Sequence, residues 1–131
     1  MELLHKNITD KIIKCFYEVY NILGYGFLEK VYESSFYNEL ISNGLSCDRQ
    51  KKIDVFYKGT LVGEYYADII AEEKVIMELK AAEAICEEQE FQLINYLKAT
   101  NIEVGLLLNF GKKPEIRRKI FTNDRKLNSN P

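Results

Sequence analysis

Three residues near the middle of the chain, Asp68, Glu78 and Lys80, have the types and spacing for metal-assisted hydrolysis. Glu78 and Lys80 are two apart in an extended run, so both project to one face while Leu79 projects to the other. Asp68 lies ten residues upstream, in the run that precedes the acidic turn Ala71-Glu72-Glu73. A hairpin symmetric about Glu73 sets Asp68 across from Glu78, with Cβ atoms about 4.5–5.5 Å apart. A two-residue turn at Glu72-Glu73 pairs Asp68 with Met77 instead and turns it to the wrong face. Two adjacent carboxylates among Ile69, Ile70, Val75, Ile76 and Met77 repel each other and are costly to desolvate unless positive charge lies between them. Oxygen donors of this kind suit magnesium, with manganese as a substitute, and magnesium commonly uses few carboxylates, several waters and a substrate phosphate. Taken alone, the E-x-K spacing is more often an ion pair on an exposed sheet face, and both readings stand at this point.

The elements that must position these residues follow from periodicity. Apolar Ile12, Phe16, Val19 and Leu23 recur at three- and four-residue steps, which predicts a helix over 9–23 with Thr9 as N-cap and Gly24 as its stop. A second helical pattern spans 27–42 and ends at Asn43-Gly44. The period then shortens. Residues 52–57 and 61–66 are β-branched and aromatic and flank Lys58-Gly59-Thr60, a hairpin signal, and a third extended run at 67–70 leads through the acidic turn into 74–80. Residues 87–100 return to helical spacing, with Phe91, Ile94 and Leu97 on one side and Glu87, Glu88 and Glu90 near the positive end of the helix dipole. The continuously apolar 104–108 reads as a strand covered on both faces, and 116–121 as a basic edge strand. The expected fold is therefore mixed α/β: one sheet of about five strands covered by helices.

Composition narrows the functional class. The chain has 131 residues, 47% hydrophobic and 29% charged, which fits one domain over 1–121 and a flexible polar tail over 122–131. No apolar stretch approaches the roughly 20 residues of a membrane-spanning helix, and the N-terminus does not read as a secretory signal, so a cytoplasmic protein without membrane contact is expected. Cys15, Cys47 and Cys86 have neither disulfide-framework nor zinc spacing, and a lone His5 argues against a Ser-His-Asp triad. Between Gly111 and Leu127 seven basic residues face two acids in an otherwise acidic chain. Lys112, Lys113, Arg117, Arg118 and Lys119 are thereby candidates for phosphate contact, or simply for a solvated edge that discourages aggregation. Nine tyrosines and seven phenylalanines leave room for a homodimer or a protein partner.

Other residues bear on the site. Glu29 falls in the first turn of the second helix and aligns with Glu33, Phe36 and Leu40. Gln92 and Tyr96, four apart, share a face of the third helix that can look toward the sheet. The stretch Gly26-Phe27-Leu28-Glu29-Lys30-Val31-Tyr32, followed in order by Asp68, Glu78-Leu79-Lys80 and Gln92-Leu93-Ile94-Asn95-Tyr96, resembles the small GxxExxY proteins of the PD-(D/E)xK nuclease superfamily. The resemblance implies a restriction-endonuclease-like core over about residues 8–121. It implies that Asp68, Glu78 and the Leu79 carbonyl bind magnesium and that Lys80 orients or activates water. Glu29 becomes an accessory acid, and Gln92 and Tyr96 resemble the pair that aligns metal site and strand in RecB-like nucleases. Ala67 stands where the superfamily name has proline.

Two functions are compatible with these residues. One is a magnesium-dependent nuclease that hydrolyses phosphodiester bonds, DNA being the expected substrate before RNA. The other is a catalytically silent nuclease-fold module that binds nucleic acid or a protein partner.

Overall fold

A computed structural model describes residues 3–127. Helix α1 spans Lys6–Leu23 and α2 spans Glu29–Ser42. Strands β1 (Cys47–Tyr57), β2 (Thr60–Ala71) and β3 (Val75–Lys80) form a meander, and α3 (Glu87–Lys98) then crosses to β4 (Val104–Asn109) and β5 (Glu115–Ile120). The sheet order is β1-β2-β3-β4-β5, parallel only between β3 and β4, as a crossover through a helix requires.

The layers follow from the helical stripes. Ile8, Ile12, Cys15, Phe16 and Val19 of α1 and Tyr32, Phe36 and Leu40 of α2 are buried against Ile69, Met77, Leu79, Leu106 and Leu108 on one face of the sheet. Leu93, Tyr96 and Leu97 of α3 cover Ile70, Ile76 and Leu107 on the other. Every residue of β4 is buried, as its unbroken apolar run predicts for a strand covered on both faces. Gly105 lets α3 approach closely, since a Cβ there would lie 2.7 Å from a Leu93 methyl carbon.

Several boundaries differ from expectation. α1 begins three residues before Thr9, because Ile8 extends the buried stripe. Thr9 is consequently inside the helix, and its hydroxyl donates to the carbonyls of His5 and Lys6 instead of capping. Residues 67–70 are not a separate strand but the buried half of β2, whose outer half forms an arm with β1. That arm closes through Lys58-Gly59, both at positive φ, between paired Tyr57 and Thr60. On α3 the buried stripe is Leu93, Tyr96 and Leu97, while Phe91 is exposed. In the segment after β5, Asn123–Arg125 forms a 3-10 turn and the Lys126 ammonium donates to the carbonyls of Thr100 and Ile102 at 2.9 and 2.7 Å. The rest of the expected tail, 128–131, lies outside the described residues.

Two buried polar groups fix the loops beside the sheet's end. Asn109, fully buried and paired with Lys80 across β3 and β4, accepts from the Ala82 N–H and donates to its carbonyl, both at 2.9 Å. That pair of hydrogen bonds ties down the chain as it leaves Lys80. The Tyr32 hydroxyl donates to the Gly24 carbonyl at 2.7 Å and accepts from the Phe27 N–H at 3.3 Å, while its ring stacks on Phe110. It thereby fixes the turn that launches Glu29. Truncating either group leaves part-buried backbone partners unpaired, so Asn109→Ala and Tyr32→Phe should each lower unfolding free energy by about 1 kcal/mol in urea titrations.

Candidate functional site

The turn joining β2 to β3 has three residues, Glu72-Glu73-Lys74, between paired Ala71 and Val75. Glu72 and Glu73 both adopt positive φ, and Glu72 is held by Ser46, whose N–H donates to its carboxylate at 2.6 Å. The odd length makes the register symmetric about Glu73: Ala71↔Val75, Ile70↔Ile76, Ile69↔Met77. One step further this register brings Asp68 opposite Glu78, and there the backbone ladder gives way to side chains. The Asp68 N–H donates to Glu78 Oε2 at 2.8 Å, and the Leu79 N–H donates to Asp68 Oδ2 at 2.8 Å.

The other edge of β2 is interrupted at the same residue. The β1–β2 ladder passes from Arg49↔Ile69 to Lys51↔Ala67, skipping Gln50 and Asp68, and Gln50 has φ 50°. This break turns Asp68 toward α2. Gln50 Nε2 lies 2.9 Å from Glu33 Oε1 and 3.4 Å from Asp68 Oδ1, while Arg49 donates to Glu33 Oε2 through Nε and Nη2. Glu33, Gln50 and Arg49 thus belong to the site's surroundings although sequence reasoning assigned them no role there. The one available signal was the helical alignment of Glu33 with Glu29.

Burial sets the electrostatics. Glu78 is 5% exposed, and its carboxyl is pushed up to about 8, chiefly by desolvation and then by the charge of Asp68. Lys80 and the Asp68 N–H oppose that rise. Asp68 is also raised, again mainly by desolvation. Tyr96 is pushed up to about 12 by burial, with Glu78 and Asp68 adding to the effect.

The candidate residues distribute over two openings. Glu29, Glu33, Gln50, Asp68 and Leu79 line a cleft of about 480 Å³ beneath the start of α2. Gln92 and Tyr96 line a groove of about 1030 Å³ on the α3 side, and the buried Glu78 lines neither opening. Lys80, half-buried at the end of β3, has no ion-pair partner among the described residues. Glu29 is exposed at the rim. The basic segment does not converge on the site: Arg118 donates to the Leu4 carbonyl, Arg117 pairs with Glu115, and Lys119 pairs with Glu90 at 2.6 Å. Lys112 and Lys113 are exposed between β4 and β5.

The donor set fits a hard divalent cation. Glu78 Oε2 and Asp68 Oδ2 are each fixed by a backbone N–H. Glu78 Oε1 accepts no hydrogen bond among the described residues, and Asp68 Oδ1 has only the long Gln50 contact. No group of three His, Cys, Asp or Glu side chains is arranged for a metal among the described residues, so water, a backbone carbonyl or phosphate would complete the coordination. The family model for the PD-(D/E)XK nuclease superfamily matches residues 6–119. The chain belongs to this superfamily. No curated protein and no solved structure matches it. The five-stranded mixed sheet with its flanking helices agrees with the superfamily's restriction-endonuclease-like core. No helix among the described residues is long and apolar enough to cross a membrane.

The raised Glu78 carboxyl has a consequence for stability. Unfolded, it titrates near its ordinary value of 4.5; folded, it keeps its proton to about 8, so the folded chain binds more protons throughout that interval. Stability must then fall as pH rises through the window. In EDTA, calorimetric Tm should decline between about pH 5 and pH 8, and Glu78→Gln should melt a few degrees above the parent at the upper end. Parallel pH profiles for the two proteins would contradict this reading of the carboxyl.

Proposed function

We propose that the chain is a divalent-metal-dependent nuclease whose metal carboxylates are Asp68 and Glu78. The observation that supports this most directly is the pair itself: two desolvated carboxylates brought together without an ion-pair partner for either among the described residues. Buried charge left in this state is unfavourable, and a cation relieves it. Bound there, magnesium or manganese supplies positive charge against the transition state and lowers the pKa of a water.

The chain's own residues account for the remaining requirements of phosphodiester hydrolysis. The fixed oxygens Glu78 Oε2 and Asp68 Oδ2 hold both side chains in place, leaving the opposite oxygens as donors. Lys80, on the same strand as Glu78 and free of a competing acid among the described residues, presents an ammonium to a phosphate oxygen or the attacking water. Its charge balances that developing on the phosphate. Tyr96 and Gln92 place the substrate strand from the α3 side, and Glu29 and Glu33 border the opposite cleft. DNA is the substrate expected before RNA.

A catalytically silent module is the second reading. It is favoured by the proton that Glu78 retains at neutral pH, which leaves the metal-free pair with one charge instead of two. The two readings separate in a cleavage assay with magnesium or manganese on labelled DNA and RNA. The nuclease reading expects metal-dependent cleavage that is lost in Asp68→Ala and Glu78→Ala and reduced about 100-fold in Lys80→Ala, with circular dichroism unchanged. Cleavage that persists in Glu78→Ala would reject this site, and salt-sensitive binding without cleavage by the parent would select the silent module.

A further inference from the structure

The groove on the α3 side has a wall chemistry that the metal site does not explain. Tyr57 and Tyr65 from the β1–β2 arm and Phe91 from α3 line it with large apolar side chains 63%, 47% and 55% exposed. Phe121 and four cations, Lys58, Lys98, Arg125 and Lys126, also line it, the last held by backbone carbonyls, with Glu88 the one acid in the lining. Lys58 sits 5.4 Å from the Tyr57 ring centre, and Lys98 and Arg125 sit 5.4 and 4.5 Å from that of Phe121. Ring faces interleaved with cations in one concave surface suit a ligand that alternates flat apolar groups with negative charge.

Tyr96 connects the groove to the acidic pair. Tyr65 is 5.7 Å from Tyr96, ring centre to ring centre. Tyr96 packs in one buried cluster with Ala67 and Ile76, which immediately precede Asp68 and stand two residues before Glu78. A ligand lying on Tyr57, Tyr65 and Phe91 therefore lies beside Tyr96, behind which the carboxylates are packed.

The geometry points to a single-stranded nucleic acid as the occupant of this groove, its bases stacked on Phe91, Tyr65 and Tyr57 and its phosphates beside Lys58, Lys98 and Arg125. A duplex hides its base faces and offers only phosphates and groove edges, so exposed rings would contribute little to it. Unstacked bases gain from every aromatic face whatever their sequence. The assignment rests on the nuclease reading for the strand's place beside the carboxylates, but binding itself requires neither metal nor cleavage.

Fluorescence anisotropy in EDTA, with labelled oligothymidylate and a labelled duplex as probes, tests binding apart from catalysis. The single strand should bind more tightly than the duplex. Phe91→Ala, at an exposed position outside the metal site, should weaken single-strand binding by about fivefold or more while leaving duplex binding unchanged. The double variant Lys98→Glu, Arg125→Glu should flatten the salt dependence. Binding in EDTA needs neither metal nor turnover, which keeps this outcome separate from that of the cleavage assay. Equal affinity for duplex and single strand, indifference to Phe91→Ala, or a dimer in sedimentation that Phe91→Ala dissociates would overturn the assignment. Metal-dependent cleavage could then still stand.

Discussion

The site depends on one local exchange: where β2 and β3 separate, each strand's acid takes a backbone N–H of the other strand. Glu78 accepts from Asp68, and Asp68 accepts from Leu79. The exchange satisfies backbone donors that the sheet no longer pairs and holds two carboxylates together despite their repulsion. It also consumes only one oxygen of each carboxylate strongly. The opposing costs, desolvation and like charge, are lowered by keeping a proton on Glu78, and the proposed cation would have to displace that proton.

The fold is arranged to keep this exchange fixed. The three-residue turn with two left-handed glutamates sets the register, and the break at Gln50 frees Asp68 from β1 on its other side. Asn109 holds the chain just beyond Lys80, and Tyr32 holds the approach to Glu29. Asp68 opens on a cleft bordered by Glu29 and Glu33, and Tyr96, whose ionisation Glu78 and Asp68 oppose, lines a second groove of aromatic rings and cations. On the proposed reading, such an arrangement separates the place where charge is balanced from the surface where a strand would be held.

What the sequence revealed about this site came from parity. A period of two places Glu78 and Lys80 on one face, and symmetry about Glu73 brings Asp68 to Glu78; both follow from residue spacing once the turn length is known. The stripes of α1 and α2 were readable for the same reason at a period of 3.6. Other features left no such trace. Nothing in the run Asp48-Arg49-Gln50-Lys51-Lys52 marks Gln50 as left-handed, so the break that turns Asp68 toward Glu33 appears only in three dimensions. Phe91 looked like core by hydrophobicity, but the groove leaves it exposed. The basic run 117–119 looked like one patch, although alternation along a strand sends neighbours to opposite faces, which is why Arg118 reaches Leu4 while Lys119 meets Glu90.

The central claim is that two acids on adjacent strands form the seat of a divalent cation, and the most direct measurement is the anomalous scattering of manganese-soaked crystals grown above pH 8. The account predicts one strong peak contacted by the free oxygens of both Asp68 and Glu78, absent from crystals of Glu78→Gln. Two ordered carboxyl groups with no peak between them, at manganese concentrations that saturate other surface sites, would contradict it.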